Sequence, residues 1–185
     1  MNLNRYAHII FDFDGTLADL QIDWDNWHVG IRQILQRYNP SFADERMSFE
    51  RINDHIKIYG ELLQKDLQFF VENYEKEYLR GVQPKEGPLK ILRSLKSHQM
   101  VHLLTSNARS TITDALKRLK ITHLFSSIVT RDDVVFTKPD PYPFSFIRDG
   151  ISLLSTYLMI GDSEADRNFA KNVGIDFMHV DQIEK

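Results

Sequence analysis

The sequence predicts an α/β protein, a doubly wound parallel sheet interrupted just after its first strand by an all-helical insertion. Three observations lead there. Residues 9–11 form an apolar run that drives into Asp12-Phe13-Asp14-Gly15-Thr16. Residues 18–83 carry apolar residues at helical spacing with no strand pattern, and from Pro88 onward helix and strand patterns alternate. Strands separated by helices imply right-handed crossovers and a parallel sheet covered on both faces.

The elements follow in order. A short apolar run bounded by a turn signal suits a first strand buried on both faces. Trp24, Trp27, Ile31, Ile34, Leu35 and Tyr38 then fall on one helical face, closed by Asn39-Pro40. Phe49, Ile52 and Ile56 mark a shorter amphipathic segment ending at Tyr59-Gly60. Leu63, Leu67, Phe70, Val71, Tyr74 and Tyr78 trace a longer helix stopped by Gly81. Pro84-Lys85-Glu86-Gly87-Pro88 is a breaker cluster that reads as the return linker. Residues 1–17 and 84–185 would therefore form the α/β core and 18–83 the insertion. Within the core, Leu89, Leu92 and Leu95 give a helix, Met100–Leu104 a strand, and Ile112, Ala115, Leu116 and Leu119 the next helix. Strands follow at residues 127–130, 156–160 and 176–180, with helices over residues 142–148 and up to Val173, the last capped by Gly174.

Bulk properties exclude several classes. At 185 residues the chain suits one well-buried core with a modest insertion rather than two large domains. Lys and Arg number 23 against 26 Asp and Glu, a net charge of −3, which offers no electrostatic footprint for nucleic acid or an anionic membrane. There is no cysteine, so thiol nucleophiles, thiolate zinc sites and disulfides are ruled out. The first residues lead into an apolar run too short for a signal peptide, and no stretch approaches the length of a membrane span. The expectation is a cytoplasmic protein without nucleic-acid or membrane partners; its oligomeric state is left open.

The chemistry gathers at the strand ends, where ligands of parallel α/β sheets bind. Asp12 and Asp14, at alternate positions, leave the first strand on the same side, and Gly15 lets the chain turn away and expose them. Thr105-Ser106-Asn107 ends the second core strand, Asp162 follows the fourth, Asp166 lies one helical turn later, and Lys138 comes from the loop before that strand. Carboxylates this close repel, and burial raises their pKa values unless a cation or a proton intervenes.

These residues carry a resemblance. Asp12-Phe13-Asp14-Gly15-Thr16 resembles the Asp-x-Asp-Gly-Thr motif of the haloacid dehalogenase superfamily, in its phosphatase branch. Thr105 at the end of an apolar strand fits the second motif, Lys138-Pro139-Asp140-Pro141 the third, and Gly161-Asp162-Ser163-Glu164-Ala165-Asp166 the fourth. The insertion is similar to the helical cap of the phosphoglycolate phosphatase and β-phosphoglucomutase group, on a Rossmann-like core. The resemblance implies a phosphatase acting on a small phosphorylated metabolite, with Asp12 as nucleophile and Asp14 as general acid and base. Hard oxygen ligands beside a phosphate imply Mg²⁺, held by the Asp12 side chain, the Asp14 backbone carbonyl and Asp162, with Asp166 orienting that shell. Thr105, Ser106, Asn107 and Lys138 would bind the phosphoryl group.

Competing readings accompany these. Asn107 serves equally well as a helix N-cap, and Ser163 reads better as a cap than as a reactant. Trp24 and Trp27 read as insertion core ahead of a substrate platform. The seven histidines show no metal-ligand spacing. Arg51, His55 and Lys57 are the polar insertion residues offered as facing inward. A phosphomutase of the β-phosphoglucomutase type shares all four motifs, and a receiver-like or catalytically silent phosphate-binding module is the alternative of another class.

Overall fold

The computed structural model describes residues 3–42 and 47–183. Its centre is a parallel five-stranded sheet. Strand β1 (His8–Phe11) lies in the middle, with β4 (Met100–Leu104) and β5 (Ser127–Val129) on one side and β6 (Tyr157–Gly161) and β7 (Asp176–His179) on the other. Phe11 pairs with both Leu103 and Ile160, so the three inner strands end level with one another. Because side chains alternate across a strand, Ile9 and Phe11 enter one core with Leu103 and Ile160, while Ile10 enters the other with Leu104 and Met159. Helices α3 (Glu86–Ser94) and α4 (Arg109–Leu119) cover the first face through Leu89, Leu92, Ile112 and Leu116. Helix α5 (Glu164–Val173) covers the second through Phe169 and Ala170. The predicted α/β class, with its helical insertion, is the observed one.

The insertion holds helices α1 (Trp24–Tyr38) and α2 (Phe49–Tyr78). Their apolar faces meet in a third core, where Trp27, Ile31 and Leu35 pack with Ile52, Leu63, Leu67 and Val71. The two segments expected on either side of Gly60 meet at a kink, where Gly60 is non-helical at φ 73°, a conformation costly for any residue with a Cβ.

Three expectations need correction. Residues 18–83 are not wholly helical: β2 (Ala18–Leu20) and β3 (Val82–Pro84) pair antiparallel at the root of the insertion. Gly81 does not stop α2, which ends at Tyr78 with Leu79 as its cap; Gly81 belongs to the return turn, where its carbonyl accepts from the Gln21 N–H. The helix expected over residues 142–148 is a 3₁₀ turn, Tyr142–Phe146. Its bonds close at i→i−3, Phe144 N–H to the Pro141 carbonyl and Ile147 N–H to the Phe144 carbonyl, the 3₁₀ pattern.

Candidate active site

The site is built on the C-terminal ends of β1, β4 and β6. The Asp12 N–H donates to the Ile160 carbonyl at 2.9 Å, extending the ladder one residue and delivering the carboxylate at the sheet edge. The chain then turns at Gly15, whose φ is +78° and where a Cβ would lie 2.3 Å from Asp162 Oδ2. Only glycine meets both demands. The turn sends Asp14 toward the insertion, where it accepts the Leu20 N–H at 2.6 Å, and brings the buried Thr16 hydroxyl to Asp162 at 3.1 Å. Beyond β6, Ser163 caps α5 by accepting from the Asp166 N–H, and Asp166 accepts back from the Ser163 N–H, a reciprocal capping box.

Lys138 joins these acids. Its Nζ lies 2.6 Å from Asp12 Oδ1 and 2.5 Å from Asp166 Oδ1, and all three residues are buried. Burial works against the lysine's charge, but the two carboxylates more than offset this and raise its pKa. Asp12 is pushed well above the usual carboxylate range, first by burial and then by the charges of Asp166 and Asp162, against the pull of Lys138. Burial likewise raises Asp162, and it raises Asp14 to about 6 despite the Leu20 hydrogen bond. Negative charge thus exceeds positive charge. Asp12, Asp162 and Asp166 each bring a carboxylate oxygen within 4.8 Å of the others. That donor set, all hard oxygen, suits a divalent cation such as Mg²⁺. Both Asp166 oxygens already accept, from Lys138 and from Ser163, so this residue ties the lysine to the helix cap.

The loop after β4 is arranged differently from the expectation. Thr105 donates its hydroxyl to Asn107 Oδ1 at 2.7 Å and is not among the residues lining the cavity; Ser106 and Asn107 are. Asn107 does not cap α4, since Ala108 holds that position with no side-chain bond. The missing partner is supplied from the insertion: Glu75, on α2, accepts the Ala108 N–H at 3.0 Å and lies 3.4 Å from Asn107 Nδ2. Burial raises the Glu75 carboxyl to about 7.

A cavity of about 190 Å³ opens over this edge, lined by Asp12, Asp14, Asp162 and Lys138 below and by Trp24, Trp27, His28, Phe49 and Glu75 above. Trp24 and Trp27 meet edge to face with centroids 5.9 Å apart; Trp27 belongs to the insertion core, as the core reading has it, and both rings also line the cavity. None of Arg51, His55 and Lys57 lines the cavity; Lys57 pairs with Asp140 at 3.2 Å, elsewhere on the contact between insertion and core. The sequence reading missed Glu75, His28, Phe49 and also Lys85, whose Nζ donates to the Gly15 carbonyl at 2.7 Å. Glu75 was the hardest to see, because an acid among Asn73, Tyr74 and Lys76 at the end of an amphipathic helix reads as solvated.

The fold and this sheet edge, with buried carboxylates and one amine beneath a small cavity, are those of a hydrolase. A model of the haloacid dehalogenase-like hydrolases matches residues 9–180, and the chain belongs to that family. The pyrophosphatase PpaX of Bacillus cereus is 26% identical over 189 residues, covering 92% of this chain and 81% of its own. Among solved structures, a Bacteroides fragilis protein described as a haloacid dehalogenase-like hydrolase superposes with a TM-score of 0.64 at 25% identity, over 93% of this chain and 86% of that one. A Lactobacillus plantarum protein described as a phosphoglycolate phosphatase gives 0.60 at 19% identity, over 97% and 88%. No helix among the described residues is long and apolar enough to cross a membrane.

Proposed function

We propose that the protein is an Mg²⁺-dependent phosphomonoester hydrolase working through an aspartyl-phosphate intermediate. The observation that carries this is the buried Asp12–Lys138–Asp166 arrangement, with its surplus of negative charge, directly beneath a cavity of small-metabolite size. Asp12 attacks phosphorus with the carboxylate oxygen, forming the P–O bond to Asp12 as the bond to the ester oxygen breaks. Asp14, which burial keeps protonated up to about pH 6, delivers its proton to the departing oxygen. Water then attacks the phosphoryl group; Asp14 takes its proton, and the bond to Asp12 breaks to release phosphate. Lys138 offsets charge on Asp12 and on the phosphoryl oxygens throughout, while the Ser106 hydroxyl, also in the cavity lining, suits one of those oxygens. Asp12, Asp162 and the Asp14 carbonyl, with Asp166 behind them, would hold Mg²⁺, whose charge would offset that of the phosphoryl group. The test is a panel of phosphate esters assayed with Mg²⁺ and with excess chelator, for wild type and for Asp12→Asn. Metal-dependent phosphate release is expected from the wild type and at least a thousandfold less from the variant. Release unaffected by chelator, or a variant within tenfold of wild type, would defeat the reading.

A further inference from the structure

The cavity's lining is selective in charge. Four carboxylates face it, Asp12, Asp14, Asp162 and Glu75, and among the described residues Lys138 is the one lysine or arginine that does. Lys138 is already committed to Asp12 and Asp166. The buried guanidinium of Arg131, whose charge partly offsets that of Glu75, lies outside this lining; it donates from Nε to the Ser106 carbonyl and sits over the Phe49 ring. Burial depresses the His28 pKa, which keeps that imidazole neutral at neutral pH and above. The rest of the upper wall is aromatic, Trp24, Trp27 and Phe49.

From this we infer the substrate class. The group beyond the phosphate is uncharged or cationic and packs on the aromatic wall; a second anionic group is excluded. This inference rests on the phosphatase reading for its reaction but not for its binding preference. It departs from both names found among the relatives, since pyrophosphate carries a second phosphate and phosphoglycolate a carboxylate. The physical reason is that above about pH 7, where Glu75 is ionised and only partly offset by Arg131 outside the lining, a second anion would meet its carboxylate at short range and largely out of water. A cation there gains from Glu75 and from the aromatic faces.

Binding and turnover separate the two claims. Trp24 and Trp27 are the chain's two tryptophans, and both line the cavity, so intrinsic fluorescence reports occupancy. Three non-hydrolysable phosphonates of similar size are titrated at pH 8 with Mg²⁺: 2-hydroxyethylphosphonate, 2-aminoethylphosphonate and phosphonoacetate. The first two are expected to bind at least tenfold more tightly than phosphonoacetate. In Glu75→Gln, which keeps an acceptor for the Ala108 N–H, that ratio should fall at least threefold. Phosphonoacetate binding as tightly as the others, a ratio untouched in Glu75→Gln, or no fluorescence response to any of the three overturns the inference. If the binding order holds but none of the matching esters is hydrolysed, the phosphatase reading fails and the charge selection stands. If phosphoglycolate or pyrophosphate is hydrolysed with a kcat/KM above that of ethanolamine phosphate and glycerol phosphate, the reverse is true.

Discussion

Lys138→Met removes the amine and keeps an apolar stem of similar length, so it isolates what the charge does. Nζ lies 2.6 Å from Asp12 and 2.5 Å from Asp166, with all three residues buried. Removing one partner of a buried pair leaves uncompensated charge and costs about 3–5 kcal/mol; here two carboxylates lose the same partner, so the upper end applies. Asp12 is already raised well above its ordinary value by burial, and loss of Lys138 raises it further. An acid whose folded pKa exceeds its unfolded one binds more protons in the folded state, so stability falls as pH rises between the two values. The penalty should therefore be smallest near pH 4, where the unfolded carboxyl also holds its proton, and grow toward pH 8. Urea unfolding of wild type and variant at pH 4.5, 6 and 8, in chelator, measures it. A difference below about 1 kcal/mol at pH 8, against the cost expected for a broken buried pair, or one that does not change with pH, would refute the argument. Turnover should drop about 10²–10³-fold, as for removal of one electrostatic stabiliser of a transition state.

Asp14→Asn should slow alkyl phosphates far more than nitrophenyl phosphate, whose leaving group needs no proton; equal losses in kcat would remove the acid role. In the wild type, the alkyl-to-nitrophenyl rate ratio should decline as pH rises through about 6, where Asp14 loses its proton. Gly15→Ala should destabilise by about 2 kcal/mol through its positive φ, and by more from a Cβ 2.3 Å from Asp162 Oδ2, read as a fall in Tm. His102 is buried, and burial lowers its pKa from 6.5 to about 4. A base with a depressed folded pKa takes up its proton first on unfolding. Stability is therefore full above pH 6.5 and falls as pH drops toward 4, by about 2 kcal/mol at pH 5; His102→Gln should flatten that part of the unfolding free energy against pH.

The parts of the molecule legible in the sequence are those whose environment is uniform. Residues 9–11 and 157–160 face apolar cores on both sides, so their burial appears as continuous hydrophobic runs, while in β4 Met100 is exposed and the buried His102 interrupts the apolar run; the polar residues that follow these strands mark the sheet edge. Asp12, Asp162 and Lys138 could be placed together because topology alone brings strand ends to one edge. Strands β2 and β3 left no trace, since three residues each, one side open to solvent, are too few for alternation to register. Glu75 was hidden for another reason. Its role comes from Ala108, 33 residues on, whose N–H no neighbour of its own can satisfy. Thr105 shows the converse, a polar residue at a strand end that spends its hydroxyl on Asn107.

The ribbon at the root of the insertion ties acid strength to hinge geometry. Leu20, the last residue of β2, gives its N–H to Asp14, and on the opposite connection Lys85 reaches back to the Gly15 carbonyl beside it. The Leu20 bond favours the anionic form of Asp14, against burial. A small displacement of Ala18–Leu20 that lengthens this bond makes Asp14 a weaker acid, so the insertion's two tethers trim the proton affinity that burial has raised. Movement of the cover and readiness of the acid are then one variable, read out at a single amide hydrogen.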